Sequence, residues 1–532
     1  MTDQRSTRRP GEGSLVPPAG WLVDEDHDGE RTVGAVFLLG IGLAAVFLRL
    51  LRLDAMSIWV DEVFTWQLVA PAGDADFATR ILAAYQGPLY HAAAWPLLRL
   101  ADTAFMLRLP AALASALTVP LVGVLAGRLW GRDAGRLAAL LALISPFAAW
   151  YAQEARGYSF VMLFATASGI VLLTILQRGI TPGRAIGLAL LVGAGLMSNF
   201  SFVLLLVAYG LTVLLAARPR RVGEWSLWCL ALGGGVLLAL PWLLEAAGIW
   251  EVGRVVPGAE TGAALRGETT FSPWAIPFSA FALMYGFSLG PSLAELHQPD
   301  RIDAVVRHAP VITAGALAAA GPLLMGLTGL GRRRWVVLLW IVVPLVAVVL
   351  LAVRNVKPFN VRYVAVVWPA LMALVSCGLV RLALWPRRIL GAALVVLSVM
   401  SLLGLYLDRD YAKEDVRGAV AALVARGEPD TPVLSPTVGP VVRYYLEDAR
   451  PVYGCWDEDR LATPADADAL VARQLAGHDA AWFLSARAWD LDPAGLLPDA
   501  LRRAGRLVRV HAGPGVTLDR WTRDPARPGG EP

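Results

Sequence analysis

The residues of this chain that could do chemistry begin with Asp61 and Glu62, in the segment Ser57-Ile58-Trp59-Val60-Asp61-Glu62. Two adjacent carboxylates sit among Trp59, Val60, Val63, Phe64 and Trp66, poor surroundings for two charges. Partial desolvation would make one of them a stronger base and calls for a cationic partner or substrate. The same residues also fit an N-capped interfacial helix with acids in its first turn. A second group follows in Tyr151-Ala152-Gln153-Glu154-Ala155-Arg156-Gly157-Tyr158, where Glu154 and Arg156 lie between two tyrosines. Alone, that pair also reads as a snorkelling loop. Carboxylates from the two loops can converge on one site if the loops share a face.

Two further segments carry polar groups. Gln86-Gly87-Pro88-Leu89-Tyr90-His91 opens a short apolar helix. His91 is a candidate ligand or proton shuttle, and equally a hydrogen-bonded structural residue. Lys357-Pro358-Phe359-Asn360-Val361-Arg362-Tyr363 places two cations before a late apolar stretch. They suit a phosphate or pyrophosphate headgroup, and equally ordinary headgroup anchoring. Gly286–His297, with Glu295 and His297, reads as a shaped loop of unassigned role.

What must position these groups is a membrane bundle. Hydrophobic residues make up 56% of the 532 and charged ones 17%, and mean hydropathy is +0.55. The apolar residues are gathered in long blocks, the pattern of membrane spans. Spans are expected near 33–53, 108–128, 137–152, 157–177, 185–198, 200–217, 225–245, 309–330, 335–353, 362–381 and 389–407, about eleven in all. Pro88–Leu98 is too short to cross, and Phe271–Pro291 is interrupted by Pro273 and Pro277. Both are expected to lie at the interface, and the count rises to thirteen only if both cross.

Arginine asymmetry gives the bundle a direction. Arg128, Arg132, Arg136, Arg178, Arg184, Arg218, Arg332, Arg333, Arg334, Arg381, Arg387 and Arg388 fall in alternate loops, expected to be cytoplasmic with the N-terminus. The large loop 54–107 and the segments holding Glu154 and Arg362 then face out of the cytoplasm. Arg49 and Arg52 run against this bias and are read as interfacial or functional. Residues 1–30 read as a polar, disordered tail with no removable signal peptide. The domain 31–407 is expected to be the membrane unit. Residues 408–525 alternate strand and helix patterns and are expected to form a small extracytoplasmic α/β domain, with 526–532 as a tail. The expected fold is therefore mainly α, polytopic in the cell membrane, with that domain appended.

Several classes are unsupported. The net charge of +4 comes from arginines between apolar blocks, which does not suggest nucleic acid. Cys229, Cys377 and Cys455 make no disulfide framework. No phosphate-binding glycine loop appears in a strand-to-helix context. Polar residues sit in loops rather than at mid-span, which disfavours a flippase or transporter. A non-catalytic protein that binds lipid-linked sugars is the other alternative.

In this order and spacing, the segments resemble the GT-C superfamily of membrane glycosyltransferases, nearest to the protein O-mannosyltransferase and lipid A aminoarabinose transferase group, over roughly residues 33–450. Asp61-Glu62 looks like that group's acidic pair. Gln86-Gly87-Pro88-Leu89-Tyr90 is similar to its His-Pro-Pro-Leu-Tyr segment, with Gln and Gly in place of His and the first Pro. Arg108-Leu109-Pro110, Ser145-Pro146, Glu154-Ala155-Arg156-Gly157-Tyr158 and Arg362-Tyr363 carry the rest. The resemblance implies transfer of a sugar from a polyprenyl-phosphate donor to a lipid, glycan or protein hydroxyl, with inversion. It implies Asp61 as base, Arg362 with Lys357 or Arg156 on the leaving phosphate, and Glu62 and Glu154 orienting the acceptor. Tyr158, Gln86, Tyr90, His91, Tyr363 and His297 are the remaining candidate substrate contacts. No cofactor is certain. Metal use stays open, with Asp61 and Glu154 as ligands if a divalent cation takes part.

Overall fold

The computed structural model describes residues 33–70, 76–84, 86–219, 221–249, 271–298, 300–328, 333–354, 359–447, 449–454, 461, 463–488, 492 and 494–524. The expected tails and Lys357 lie outside these residues. Through Leu407 the described chain is helical, and beyond it helices and strands mix. All eleven apolar segments form helices, and they differ in length. Among the described residues seven helices are long and apolar enough to cross: Ala104–Trp130, Tyr158–Arg178, Val222–Ala246, Ala309–Leu327, Arg333–Val353, Val361–Arg381 and Leu384–Leu407. Arg132–Leu143 and Pro146–Ala152 meet at 52° and would make an eighth span if counted as one. Ala35–Leu50, Pro182–Ser198 and Phe202–Ala217 are shorter. Among the described residues, length and composition thus give seven or eight helices that qualify as spans, beside the about eleven expected from apolar runs.

Local chemistry sets the breaks. Ser145 caps the Pro146–Ala152 helix by accepting from the Ala148 N–H at 3.3 Å, with Pro146 in the first helical position. Thr103 caps Ala104–Trp130 in the same way. The two interrupted stretches form helices of 11 residues each, Pro88–Leu98 and Ala275–Tyr285. At about 1.5 Å per residue neither can cross a core of roughly 30 Å.

One end of the bundle gathers the polar loops. The Gln153 side chain donates to Leu51 O at 3.1 Å, and Trp242 donates to Ala84 O at 3.0 Å. Gly87 and Gly157, from two different loops, both press against the end of the Pro182–Ser198 helix. A Cβ on Gly157 would lie 2.1 Å from Ser198 O, and one on Gly87 2.4 Å from Met197 O. Gly157→Ala is therefore expected to cost about 1–3 kcal/mol by overpacking. The check is the unfolding midpoint in detergent, with Gly40→Ala, which meets nothing within 4 Å, as the neutral control. Arginines collect at the opposite end, where Arg333 donates to Leu129 O at 2.9 Å.

After Leu407 a five-stranded sheet forms in the order β2-β1-β3-β5-β4, from β1 (Val433–Leu434), β2 (Val452–Tyr453), β3 (Ala480–Ala486), β4 (Gly505–Gly513) and β5 (Val516–Arg523). β1 is parallel to β2 and β3, whereas β5 runs antiparallel to β3 and β4. Helices Val416–Val424, Gly439–Leu446, Pro464–Gln474 and Leu496–Ala504 alternate with the strands. The sheet does not stand apart from the bundle. A single apolar cluster runs from Ile58, Val63, Tyr90 and Leu107 into Val416, Val420, Leu423 and Trp482.

Candidate active site

Asp61 and Glu62 open the Val60–Val69 helix, and their neighbours give them opposite surroundings. Glu62 is fully buried. Arg108 grips it with two parallel bonds, Nε to Oε1 and Nη2 to Oε2, both 2.7 Å. The Ala155 N–H donates to Oε1 at 2.9 Å, the Trp59 N–H to Oε2 at 3.3 Å, and Lys413 Nζ lies 3.5 Å from Oε2. Burial alone would raise the Glu62 carboxyl, but Arg108, Lys413 and the Ala155 N–H outweigh it and hold it at about 2. Its lone pairs are thus committed to the fold. Arg108 also donates to Leu53 O, Met56 O and Ser57 O, so it pins the whole turn before the helix.

Asp61 keeps a fifth of its side chain open, at 20% exposure. Arg362 Nη1 donates to Oδ2 at 3.0 Å, and Arg156 Nη2 lies 3.8 Å from the same oxygen. Arg362 stands on the turn Val361–Val367, fixed by the Asn360 side chain accepting its N–H at 3.1 Å. Its guanidinium lies 5.6 Å from the Tyr363 ring centre. Arg156 also donates to Asp61 O at 3.3 Å. The first loop, the Glu154 loop and the Arg362 turn therefore meet at one carboxylate.

Glu154 is 2% exposed. Burial pushes its carboxyl up to about 7; Lys413 pulls down, and Asp61 and Glu62 add to the rise. Between about 4.5 and about 7 the folded state holds a proton that the unfolded chain has released. Stability from this group is therefore expected to fall as pH rises from about 4.5 to about 7. Unfolding midpoints across that window test this: Glu154→Gln should flatten the slope, and an unchanged slope would remove Glu154 as its source.

The other expected residues are placed around this centre in different ways. Tyr158 feels the charges of Arg362, Arg156 and Glu154, and its ring lies 5.0 Å from that of Tyr151. Gln86 Oε1 is 3.3 Å from Thr65 Oγ1, which also reaches Asp61 O and Ala155 O. Tyr90 is buried and donates to Leu107 O at 2.7 Å, a structural bond. His91 is buried, with Nδ1 3.0 Å from Gly87 O. Burial, the Gly87 carbonyl and Arg156 together leave it lowered to about 4. His297 belongs to the Ser292–Glu295 capping turn, with Nδ1 2.6 Å from Leu293 O.

Two residues outside the expected set complete the site. Arg108 was visible only as part of an Arg-Leu-Pro motif. Lys413 was visible only as one of two lysines in the chain, just after the last apolar run. It is 6% exposed, donates to Gln153 O at 3.3 Å and lies 5.4 Å from the Trp59 ring centre. Burial lowers its pKa, opposed by Glu62. Among the described residues no group of three His, Cys, Asp or Glu forms a metal site.

Residues 86–244 match the family described as dolichyl-phosphate-mannose-protein mannosyltransferase. No curated protein sequence matches the chain. Among solved structures, it is similar to ArnT from Cupriavidus metallidurans bound to undecaprenyl phosphate, with a TM-score of 0.55 and 13% identity over 92% of this chain and 98% of that one. It is also similar to the oligosaccharyltransferase AglB from Archaeoglobus fulgidus in complex with an inhibitory peptide and a dolichol-phosphate. There the TM-score is 0.52 at 12% identity, over 93% of this chain and 75% of the other. This multi-pass membrane chain thus shares the fold of these GT-C glycosyltransferases, and over residues 86–244 it resembles the mannosyltransferase family.

Proposed function

We propose that the chain transfers a sugar from a polyprenyl-phosphate carrier to an acceptor hydroxyl, with inversion at the anomeric carbon. The observation that carries this reading is the meeting of Asp61, Arg362 and Arg156 at one partly open carboxylate, with Arg362 Nη1 3.0 Å from Asp61 Oδ2. A base and two phosphate-binding cations are what such a transfer needs in one place. ArnT and AglB, whose fold it shares, are seen with undecaprenyl phosphate and dolichol-phosphate.

In the proposed reaction Asp61 accepts the proton of the acceptor hydroxyl as its oxygen attacks the anomeric carbon. The bond from that carbon to the carrier phosphate breaks on the opposite face through an oxocarbenium-like transition state. Arg362 and Arg156 pass from Asp61 to the departing phosphate, whose charge grows as the bond breaks. Glu62 holds the base-bearing helix in place rather than reacting. Glu154 adjusts the local charge with its own proton. The acceptor is a lipid, glycan or protein hydroxyl, and the active face lies outside the cytoplasm, opposite the arginine-rich loops. That places residues 408–525 outside the cytoplasm too.

The test is the product's configuration. Purified protein in lipid, given polyprenyl-phosphate-linked sugars and an extract of envelope acceptors, is expected to yield a glycoside whose anomeric configuration, read by NMR, is opposite to the donor's. Retained configuration would overturn the single-displacement reading.

A further inference from the structure

A cavity of about 350 Å³ opens between the first loop, the end of the Leu384–Leu407 helix and the β4–β5 hairpin. Gln153 and Lys413 belong to its lining as well as to the surroundings of Glu62. Its charged lining divides into groups already engaged and groups that are not. Asp408 caps the Asp410 N–H at 3.0 Å, and Asp415 accepts from the Gly418 N–H at 3.0 Å and from Ser57 Oγ at 3.2 Å. Lys413 is held by Glu62. The guanidiniums of Arg52 and Arg409 make no hydrogen bond or ion pair among the described residues. His511 lines the same cavity, and its Nε2 is buried with no hydrogen-bond partner among them.

The backbone also points here. Arg52 has φ 55°, in the left-handed region, which is strained for a residue with a Cβ. Such strain gathers at ligand-binding positions. On β4 the register shifts between Arg509 and His511, an irregularity of the kind that re-aims a side chain. Two unengaged guanidiniums and an imidazole nitrogen around one hollow match the several acceptor oxygens of a tetrahedral phosphate.

We propose that this cavity binds a phosphate group, with Arg52 and Arg409 as its paired cationic ligands and His511 Nε2 as a third contact. It is separate from the Asp61–Arg362 centre and does not rest on the transfer reaction. A lipid headgroup and a free phosphate would offer the same chemistry, and the test separates them. The full chain in a neutral detergent is titrated calorimetrically with inorganic phosphate and with short-chain phosphatidylglycerol, using diacylglycerol of equal chain length as the blank. The wild type is expected to bind. The double variant Arg52→Gln/Arg409→Gln should bind at least about tenfold more weakly while keeping its unfolding midpoint. His511→Phe, which fills the hollow from another element, should weaken binding as well. Binding of the lipid alone assigns the site to a headgroup; binding of both probes assigns it to the phosphate itself. Equal affinity in wild type and double variant, or no binding of either probe by the wild type, overturns the proposal.

Discussion

Asp61→Asn is expected to lower the rate of sugar transfer by about 10²–10⁴-fold, the usual range for loss of a positioned base. The fold should survive. The Asp61–Arg362 pair has side chains 20% and 26% exposed, and an ion pair so placed contributes about 1 kcal/mol or less. An asparagine oxygen can still accept from Arg362, so the three loops stay joined. What disappears is the ability to take a proton. Donor binding should change little, because Arg362 and Arg156 keep their place and their charge toward the phosphate. The measurement is kcat and KM for the purified variant in lipid, beside an unfolding midpoint. Transfer at the wild-type rate would remove Asp61 from the role of base.

The second large effect falls on stability. Arg108→Leu leaves the Glu62 carboxylate buried with Lys413 as its nearest cation, at 3.5 Å. Breaking one side of a buried pair costs roughly 3–5 kcal/mol, because the remaining charge has no water. Since Arg108 also bonds three carbonyls of the preceding turn, the loss reaches the position of Asp61 as well. Removing both charges, as Arg108→Leu/Glu62→Gln, should recover part of it. The pH sign follows from Glu62, whose folded value of about 2 lies below its ordinary 4.5. Its contribution is complete above pH 4.5 and is lost as pH falls toward 2. The single variant should therefore lose stability most above pH 4.5, and a wild-type unfolding midpoint there would refute the assignment.

The members of the site that the sequence made legible were those whose types are informative without partners. A carboxylate pair among aromatic residues, and cations before an apolar run, each state a problem that a partner must solve, and Asp61, Arg156 and Arg362 do meet. The division of labour between Asp61 and Glu62 was not legible. It depends on Arg108 and Lys413, and a neighbour's distance in sequence says nothing about its distance in space. Likewise Gly87, where the family pattern has proline, makes sense only beside Met197 O. The helical segments were readable from apolar runs, yet a run cannot say whether a helix bends at Ser145 or ends short. The two-residue strand β2 carries too little pattern to read from sequence.

The bonds between the first loop and the far end of the chain carry a consequence for how the protein is made. Ser57 bonds Asp415 across 358 residues, and Ile58 bonds Tyr445 across 387. A ribosome adding about 5–20 residues per second delivers these partners tens of seconds after the loop itself. During that interval the Asp61 turn stands without the surface that seats it. A nascent or prematurely terminated chain would thus carry the full set of loop carboxylates and yet be unable to fix their geometry, so competence arrives only with the last-made segment.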